Sequence, residues 1–440
     1  MHSMDRKKFE EVSEAFTLPE AIIEAQRCLN CKVPGCKKGC PISNDIPDWI
    51  AELAKGNFGN AMSIINARSN LPAVCGRVCG HERQCEGGCV RGKKDRPVKI
   101  GKLERFLADF DAEAQWRHEA IPEKNRGRVA VIGSGPAGLT IAGDLSRQGF
   151  HVEIFEMEPE AGGVLRFGIP EYRLPKEVVN REIKKIENLG VTIHLNSTAG
   201  EDFTVDDLFA QGFDAIFMGT GTGVPRHLDI PGVKHPGVSQ AIRFLRRVGL
   251  YEAGYKTRDE VRLYEGDRVA VIGGGNTAMD SARTALRLGA SEVTVIYRRT
   301  LDKMPALMAE YEDALKEGVK FMWESSVVNV HGGDGNRLVS VDVKTGDEVT
   351  TMPMEFLLLA AGSGPAARIV STTEGIDVDD NGYVLTRDFP YGMTTRKGVF
   401  AGGDVTGRQA TVVHAMQDAK AVAEGIAQYI DAVKLMEKLN

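Results

Sequence analysis

Eight cysteines are the most reactive side chains in the sequence. All lie between Cys28 and Cys89 of a 440-residue chain, and none follows. They form two groups, Cys28, Cys31, Cys36 and Cys40, then Cys75, Cys79, Cys85 and Cys89. Disulfide frameworks are typical of exported proteins, whereas clustered thiolates also bind metals. The clustering therefore predicts a metal-bearing amino-terminal domain.

The spacing of the first group indicates which metal centre to expect. Cys28-x2-Cys31-x4-Cys36-x3-Cys40-Pro41 is close to the iron–sulfur pattern C-x2-C-x2-C-x3-C-P, with a longer middle spacer. Eight cysteines could fill two clusters of four thiolates each. Structural zinc is the alternative, but zinc sites usually repeat short C-x2-C pairs, and only Cys28 and Cys31 have that spacing. The spacing favours iron–sulfur clusters.

A glycine-rich turn at residues 133–138 is suited to bind a dinucleotide. A run of β-formers, residues 129–132, leads into Gly133-x-Gly135-x-x-Gly138. These glycines permit a tight turn, close approach of a pyrophosphate and close helix packing, and the helix N-terminus faces the phosphates. The next predicted strand, 151–155, ends in Glu156, which could accept hydrogen bonds from a ribose. The turn predicts an adenine dinucleotide without a 2′-phosphate.

A second turn of the same kind follows at residues 273–278. Strand 268–272 leads into Gly273-x-Gly275-x-x-Ala278, and the next strand, 292–297, ends in Arg298 and Arg299. Arginine would pair with a 2′-phosphate that an acid would repel. The second turn therefore predicts NADP, although the two arginines could also be only a solvated strand end.

The carboxyl-terminal part contains a sequence pattern suited to bind a flavin. A short apolar strand at 398–401 runs into Gly402-Gly403-Asp404, whose carboxylate is suited to a ribityl hydroxyl. A predicted helix from Thr411 to about Asp431 would aim its N-terminus at the flavin and stabilise negative charge on the reduced ring. Its His414 has small or apolar neighbours, so we expect it to pack or to support the site indirectly and not to act as an acid or base.

The elements that position these residues alternate between helices and strands. We expect helices within 14–27, 46–70 (two, broken near 56–57), 98–117 and 176–189, a linker at 120–126, and buried strands at 214–221 and 356–363. The glycine-dense segment 162–170 is suited to wrap a cofactor, or is an ordinary loop.

Composition restricts the function further. A net charge of −6 shows no basic excess typical of nucleic-acid binding. No apolar run is long enough to span a bilayer, and Met1–Glu20 lacks the apolar core of a signal peptide, so we expect a cytoplasmic protein. With no cysteine after Cys89, the flavin and NADP domains have no redox-active disulfide. We expect electrons to leave the flavin through the clusters.

The order of motifs resembles a known family. The two cysteine groups are followed by G-S-G-P-A-G-L, G-G-V-L-R-F-G-I-P-x-Y-R-L, G-G-G-N-T-A-M-D, Y-R-R-T-x-x-x-M-P-A and A-G-G-D. This resembles the small (β) subunit of NADPH-dependent glutamate synthase, the N-terminal half of dihydropyrimidine dehydrogenase and the large subunit of NADH-dependent ferredoxin:NADP oxidoreductase. The resemblance covers about residues 15 to 430 and implies FAD, NADPH and two [4Fe–4S] clusters.

The resemblance and the motifs together assign site residues. The FAD-binding set is Gly133, Ser134, Gly135, Pro136, Ala137, Gly138, Glu156, Gly163, Leu165, Gly403, Asp404, Thr411 and Val412. The NADP-binding set is Gly273, Gly275, Asn276, Thr277, Ala278, Arg298, Arg299 and Gly362. By resemblance, one cluster has the ligands Cys28, Cys31, Cys36 and Cys89, and the other has Cys40, Cys79, Cys85 and Glu104. Cys75 matches a non-ligand position, and no side chain is expected to act as a general acid or base.

The expected fold is α/β. Two nested Rossmann-like dinucleotide-binding domains, as in glutathione-reductase-like flavoproteins, follow an α-helical double [4Fe–4S] domain. The predicted boundaries are 1–125 for the iron–sulfur domain, 126–232 with 364–440 for the FAD domain, and 233–363 for the NADPH domain.

The resemblance implies an oxidoreductase that takes hydride from NADPH onto FAD and passes electrons through the clusters to a large partner subunit, here of the glutamate synthase α type. The alternative is the large subunit of an electron-bifurcating enzyme, with a small flavoprotein subunit and ferredoxin as partners. An iron–sulfur assembly scaffold is disfavoured by two complete dinucleotide units. Neither nucleic acid nor a membrane is an expected partner.

Overall fold

The computed structural model describes residues 9–114, 119–366 and 368–439. The helices are α1 (Leu18–Gln26), α2 (Gly35–Gly39), α3 (Ile46–Ala54), α4 (Phe58–Asn66), α5 (Pro72–Val78), α6 (Ile100–Ala114), α7 (Pro136–Arg147), α8 (Val164–Phe167), α9 (Lys176–Glu187), α10 (Val205–Ala210), α11 (Ala241–Glu252), α12 (Arg258–Val261), α13 (Asn276–Arg287), α14 (Met308–Lys316), α15 (Arg368–Ser371) and α16 (Val412–Leu439).

The strands follow the same order. They are β1 (Gly127–Ile132), β2 (Phe150–Phe155), β3 (Thr192–His194), β4 (Ala215–Met218), β5 (Val224–Pro225), β6 (Val238–Gln240), β7 (Arg268–Ile272), β8 (Glu292–Ile296), β9 (Lys320–Met322), β10 (Ser325–Gly332), β11 (Leu338–Thr345), β12 (Glu348–Pro353), β13 (Phe356–Leu359), β14 (Ser363–Gly364), β15 (Thr386–Asp388), β16 (Tyr391–Thr394) and β17 (Val399–Ala401).

The chain divides into two compact units. The larger unit comprises Val12–Leu165, Arg173–Thr222 and Gly364–Asn440. The smaller comprises Arg166–Tyr172 and Gly223–Ser363, with the described residues among Met1–Glu11. The division into three domains stays a prediction.

The amino-terminal part of the larger unit is helical, as predicted. Helices α3 and α4 are separated at Gly56, which has φ +78°. Trp49 and Leu53 of α3 and Ile65 of α4 are fully buried, because each amphipathic helix turns one face to the shared core. Helix α6 occupies most of the predicted 98–117 helix, whose residues 115–117 lie outside the described ranges.

The rest of the larger unit is built on a seven-stranded sheet. Its order is β15-β16-β17-β4-β1-β2-β3, parallel from β17 to β3 and antiparallel at the β15–β16 edge. Strand β1 is central, with Ile132 opposite Phe155 of β2 and Met218 of β4. Its last four residues are buried, because helices cover both faces of a parallel sheet. The carboxyl ends of β1, β2 and β17 therefore meet at one edge.

The smaller unit repeats this arrangement. A parallel five-stranded sheet has the order β6-β13-β7-β8-β9, and β10-β11-β12 form a separate antiparallel sheet. Val269 and Val271 of β7 and Val293 and Val295 of β8 are fully buried in one apolar core. The expected α/β fold with two Rossmann-like sheets after a helical segment is confirmed.

The predicted end of the last helix was wrong. Helix α16 continues from Asp431 to Leu439, because the added segment contains Ala, Val, Lys, Leu, Met and Glu but neither glycine nor proline. None of the described helices is both long and apolar enough to cross a membrane.

Candidate cofactor and cluster sites

The first glycine turn has the geometry of a phosphate-binding loop. Gly133 has φ +96°, and a Cβ on Gly138 would lie 1.9 Å from the Gly133 carbonyl oxygen. Both positions therefore need glycine for the fold itself. A Cβ on Gly135, in contrast, would meet no atom of the described residues within 4 Å. The space at Gly135 lies beside the N-terminus of α7, which has no side-chain cap, so the turn fits a pyrophosphate.

Glu156 is held directly behind this turn. It is 4% exposed, and its Oε2 accepts hydrogen bonds from the Ser134 N–H at 2.9 Å and from the Ser134 hydroxyl. Its Oε1 accepts the Glu158 N–H at 2.8 Å. Each carboxylate oxygen can accept more than one hydrogen bond, so capacity remains for a ribose hydroxyl. The protein contacts fix the carboxylate in place before any ligand arrives.

Two further predicted segments converge on the turn. A Cβ on Gly163, which has φ +51°, would lie 2.9 Å from Gly135 Cα. A Cβ on Gly403 would lie 3.0 Å from Ala137 Cβ, in the first turn of α7. These contacts bring Gly163 and Gly403 beside the turn, whereas Leu165 has no exposed side-chain surface.

The environment of the Asp404 carboxyl suits a hydrogen bond from a bound ligand. Burial alone raises the pKa of its carboxyl to about 6. No side-chain hydrogen bond to this carboxyl is found within the described part of the chain. A ribityl hydroxyl would supply a donor to this half-buried oxygen pair, so the residue fits the role predicted for it.

The sequence did not reveal how the Gly403–Asp404 turn is fixed. Asp418 of α16 is 6% exposed, and its Oδ2 accepts the Gly403 N–H at 2.8 Å. Its Oδ1 accepts from Tyr391 at 3.1 Å and pairs with Arg408. The only available signal was an aspartate in the second turn of α16.

The N-terminus of α16 is capped by Thr411. Its hydroxyl accepts the His414 N–H at 3.4 Å and hydrogen-bonds His414 Nδ1 at 2.6 Å. Burial lowers the pKa of His414, so the ring is neutral near pH 7. Val412 begins the helix at this point.

The second turn is built like the first. Gly273 has φ +138°, and its Cβ would lie 2.5 Å from the Ala360 carbonyl oxygen, whereas a Cβ on Gly275 would meet no described atom within 4 Å. Gly275 precedes α13, which also has no side-chain cap. Ala278 is fully buried where that helix packs against the sheet. The open space at Gly275 fits a second pyrophosphate.

Arg298 and Arg299 follow β8 at the same sheet edge. Both side chains are exposed, and neither has a hydrogen-bond or ion-pair partner among the described residues. Asn276 is engaged elsewhere, because its Oδ1 accepts the Leu307 N–H at 2.9 Å. Thr277 is exposed in the first turn of α13.

Gly362 lies beyond β13 with φ +91°, and its carbonyl oxygen accepts the Arg226 N–H at 3.0 Å. Like the two arginines, it belongs to the smaller unit. All predicted NADP residues therefore lie in that unit.

The cysteines regroup in space rather than following sequence order. Cys28, Cys31, Cys36 and Cys89 line one cavity of about 320 Å³, including open solvent, which we call the first cysteine site. Burial raises the pKa of Cys36 to about 11, so this thiol needs a cationic partner to ionise.

Cys40, Cys75, Cys79, Cys85 and Glu104 form a second group, the second cysteine site. Burial raises the pKa of Cys40 to about 11, with Glu104 and Cys75 adding to the shift. The pKa of Cys79 is raised by a hydrogen bond that its thiol donates to Cys75, by burial and by the charge of Glu104. The pKa of Cys85 is raised by burial and by Glu104. These mutual effects place all five side chains close together.

Close backbone contacts explain the regrouping. A Cβ on Gly35 would lie 2.2 Å from the Gly88 carbonyl oxygen, and one on Gly39 would lie 2.5 Å from the Gln84 carbonyl oxygen. The segments 35–40 and 84–89 therefore run side by side. This pairing brings the end of the second sequence group beside the first.

Glu104 is placed by two further glycines. A Cβ on Gly76 of α5 would lie 2.5 Å from the Arg105 backbone nitrogen, so α5 approaches α6 closely. Gly101 leaves room for the His81 ring, which a Cβ would meet at 2.3 Å. Burial, with a contribution from Glu182, raises the pKa of Glu104 to about 8, and no hydrogen bond from another described residue offsets this effect. A buried carboxyl without a donor fits a position beside a metal.

Cys75 differs from its neighbours. Its Sγ lies 3.6 Å from Met416 Sδ and 4.0 Å from Ser69 Oγ, and the residue is 2% exposed. It therefore faces packed side chains as well as the second cysteine site.

Among the described residues, no three His, Cys, Asp or Glu side chains are arranged to hold a single metal ion.

Two family models match the chain. Residues 5–116 match dihydropyrimidine dehydrogenase domain II, 4Fe-4S cluster, and residues 127–419 match pyridine nucleotide-disulphide oxidoreductase. The chain is thus a flavin- and nicotinamide-dependent oxidoreductase with an amino-terminal 4Fe–4S domain.

Relatives match over almost the full length. The glutamate synthase (NADPH) small chain of Halomonas elongata is 36% identical, with 97% of this chain and 94% of that one aligned. The NAD-dependent dihydropyrimidine dehydrogenase subunit PreT of Escherichia coli is 34% identical over 96% of this chain and 97% of its own. The NADP(+)-dependent formate dehydrogenase subunit beta of Moorella thermoacetica is 36% identical over 90% of this chain and 60% of its own.

Solved structures share the fold. Lactococcus lactis thioredoxin reductase has a TM-score of 0.55 and 25% identity, covering 70% of this chain and 99% of its own. Mycobacterium tuberculosis FprA in complex with NADPH has a TM-score of 0.57 and 19% identity, covering 71% of this chain and 86% of its own. Because the alignments with its relatives are nearly complete, the chain belongs to the family of the glutamate synthase small chain and its relatives.

Proposed function

We propose that the chain takes hydride from NADPH onto FAD and passes electrons singly through two [4Fe–4S] clusters to the large subunit of a glutamate synthase. The observation that carries the proposal is the regrouping of the cysteines into two sites in a chain that also has two open dinucleotide turns. Bound FAD would supply the conversion between two-electron and one-electron chemistry.

FAD would be held in the larger unit. The uncapped N-terminus of α7 and the open space at Gly135 suit its pyrophosphate, and the fixed carboxylate of Glu156 suits a ribose. Asp404 would accept from the ribityl chain, while Asp418 keeps the Gly403 backbone in place. The capped N-terminus of α16 would favour negative charge on the reduced ring.

NADPH, rather than NADH, would bind in the smaller unit. The names of the relatives do not decide this point, because they include NADPH-dependent and NAD-dependent proteins. The exposed cations Arg298 and Arg299 support NADPH, since both are free among the described residues to pair with a 2′-phosphate.

The two cysteine sites would each hold one cluster. Cys28, Cys31, Cys36 and Cys89 would supply four thiolates to the first. For the second we propose Cys40, Cys79, Cys85 and Glu104, with Cys75 as a packing residue. The contact of Cys75 with Met416, and the carboxyl of Glu104 without a hydrogen-bond donor among the described residues, support this choice.

Electrons would leave through these clusters to another subunit. The sequence has no cysteine after Cys89, so the nucleotide-binding regions contain no disulfide to carry them. The near-complete alignment with a glutamate synthase small chain supports a large subunit of that enzyme as the acceptor. PreT aligns equally completely, so a pyrimidine-reducing partner is the second candidate.

Reconstitution with each partner tests the proposal. The holoprotein is mixed with a glutamate synthase large subunit, glutamine and 2-oxoglutarate, and NADPH-dependent glutamate formation is measured. A parallel reaction uses the partner subunit of PreT with a pyrimidine and NADH. Glutamate formation with NADPH supports the proposal, and pyrimidine reduction with NADH alone contradicts it.

A further inference from the structure

We propose that Arg243, Arg247 and Arg262 form a binding site for a phosphate group, separate from both dinucleotide turns. We call these three residues the arginine cluster. All three lie within the smaller unit. The inference goes beyond the proposed function, because none of the three is among the residues assigned to FAD, NADP or the iron–sulfur clusters.

Two helices assemble the arginine cluster. Arg243 and Arg247 lie four residues apart on α11, so their side chains share one face of that helix, with roughly 5–6 Å between their Cβ atoms. Arg262 ends α12, which packs against α11. Burial, and then the charges of Arg262 and Arg243, lower the pKa of Arg247. This repulsion acts over short distances, so the three guanidinium groups lie close together.

No carboxylate among the described residues neutralises the arginine cluster, because none of its members has an ion-pair partner there. Of the acids on α12, Glu260 pairs with Lys256 at 2.5 Å, and Asp259 pairs with none of the three arginines. Glu252 is at the far end of α11, five residues beyond Arg247. Three adjacent cations without a counterion repel one another, and a bound anion would remove that cost.

Arg247 is the most firmly held member of the arginine cluster. It is partly buried, and its Nη2 donates a hydrogen bond to Ser239 Oγ. Its Nε is buried without a hydrogen-bond acceptor among the described residues. Buried polar groups in native structures nearly always have a partner, so an unsatisfied donor calls for an ion or another bound group. The Ser239 hydroxyl orients the guanidinium group but cannot neutralise its charge.

The N-terminus of α11 adds positive potential at the same place. Gln240 at the N-cap makes no side-chain hydrogen bond to the helix, and the first turn contains Arg243 but no acid. A helix N-terminus favours anions and disfavours cations. Arg262 has φ +65°, a conformation that residues other than glycine rarely adopt. Both arginines are therefore held in places that are unfavourable until an anion binds.

The chemistry of the arginine cluster selects phosphate. Planar guanidinium groups match the oxygens of a phosphate group and can donate two parallel hydrogen bonds to it. A compact, doubly charged anion suits cations confined to about one helical turn, ~5.4 Å along the axis. An acidic protein surface would instead need cations spread over a wider face. The source is free phosphate or the phosphate group of a small metabolite.

The arginine cluster is at the outer edge of the five-stranded sheet. Ser239 belongs to β6, the first strand in the order β6-β13-β7-β8-β9. Strand β13 thus separates the cluster's strand from β7, which leads into the second dinucleotide turn. We therefore expect the phosphate at this site to be distinct from those of a coenzyme bound at Gly275.

Calorimetric titration of the holoprotein tests the proposal. Inorganic phosphate and adenosine monophosphate are the probes, chloride at equal ionic strength is the control, and saturating NADP⁺ is present throughout. We expect saturable binding of phosphate under these conditions. Tighter binding of the nucleotide would identify a metabolite phosphate as the ligand, whereas equal or weaker binding would identify free phosphate. No saturable binding of either probe, or binding seen only without NADP⁺, would overturn the proposal.

The double variant Arg243→Gln with Arg262→Gln locates the site. Both side chains are exposed and without an ion-pair partner among the described residues, so their loss leaves no buried group unsatisfied. Phosphate affinity should fall by about tenfold or more, because hydrogen bonds to a charged group are lost. The control variant Lys344→Gln with Lys397→Gln removes the same charge at other exposed positions and should bind phosphate normally. Equal losses in both variants would refute a local site.

Thermal unfolding separates phosphate binding from a structural role. In chloride alone, the double arginine variant should unfold at no lower temperature than the unaltered protein, because a like-charge repulsion is relieved. Phosphate should raise the Tm of the unaltered protein and leave that of the variant unchanged. A variant that is less stable in chloride would show a structural role and contradict the proposal. Flavin reduction by NADPH in the same samples tests the proposed function separately.

Discussion

Arg298→Ala should change coenzyme preference without disturbing the fold. The side chain follows β8, is exposed, and has no partner among the described residues. Its removal therefore leaves no buried group unsatisfied and no cavity, which are the usual sources of large destabilisation. Any loss should appear in the interaction with the coenzyme alone.

The expected loss follows from the bond removed. A hydrogen bond to a charged group contributes about 1.5–3 kcal/mol, and each ~1.4 kcal/mol corresponds to a factor of ten. We therefore expect kcat/KM for NADPH to fall by about ten- to a hundredfold, towards the lower value because solvent screens an exposed pair. NADH has no 2′-phosphate, so its kcat/KM should hardly change.

The assay is steady-state dye reduction with each coenzyme at constant ionic strength. Arg298→Lys should recover part of the loss, because it restores the charge but not the planar fork. Lys344→Ala removes an exposed cation from β11 and should leave both coenzymes unaffected. Equal losses for NADPH and NADH in Arg298→Ala, or a native preference for NADH, would refute the reasoning.

Further predictions concern the clusters and the flavin. Cys36→Ala should keep NADPH:dye reductase activity but fail to reduce the natural partner. Full activity with the partner would show that the clusters do not carry electrons from the flavin to the partner. Cys75→Ala should retain about eight irons per chain, the count for two four-iron clusters, while Glu104→Ala should alter one paramagnetic resonance signal. If instead Cys75→Ala lost iron and Glu104→Ala left both signals unchanged, Cys75 would be the ligand. Because a donor to Asp404 lowers its pKa from about 6, FAD affinity should fall as pH drops below 6, and Asp404→Asn should lose this dependence in fluorescence titrations.

The nucleotide-binding turns could be predicted from sequence because their rules are local. Gly133 and Gly138 are required by a positive φ and by a 1.9 Å approach within one turn, and such requirements leave a fixed spacing in the chain. The same holds for the strand before and the helix after each turn. Local steric rules therefore allowed both Rossmann-like units to be predicted from the sequence.

The grouping of the cysteines is not a local property. Cys89 joins Cys28 because two loops meet at Gly35 and Gly88, far apart in sequence, and the motif spacing does not encode that contact. Only the family resemblance predicted the grouping. The support of Gly403 by Asp418 was missed for the same reason, since a single buried aspartate in a helix has many possible partners.

An anaerobic titration with NADPH tests the central claim most directly. The purified holoprotein receives NADPH in steps, and each sample is examined by visible absorbance and by electron paramagnetic resonance. The account predicts that flavin absorbance bleaches and that signals of reduced [4Fe–4S] clusters then appear in the same chain. Bleached flavin with clusters that stay oxidised throughout the titration, or zinc in place of iron, would contradict it.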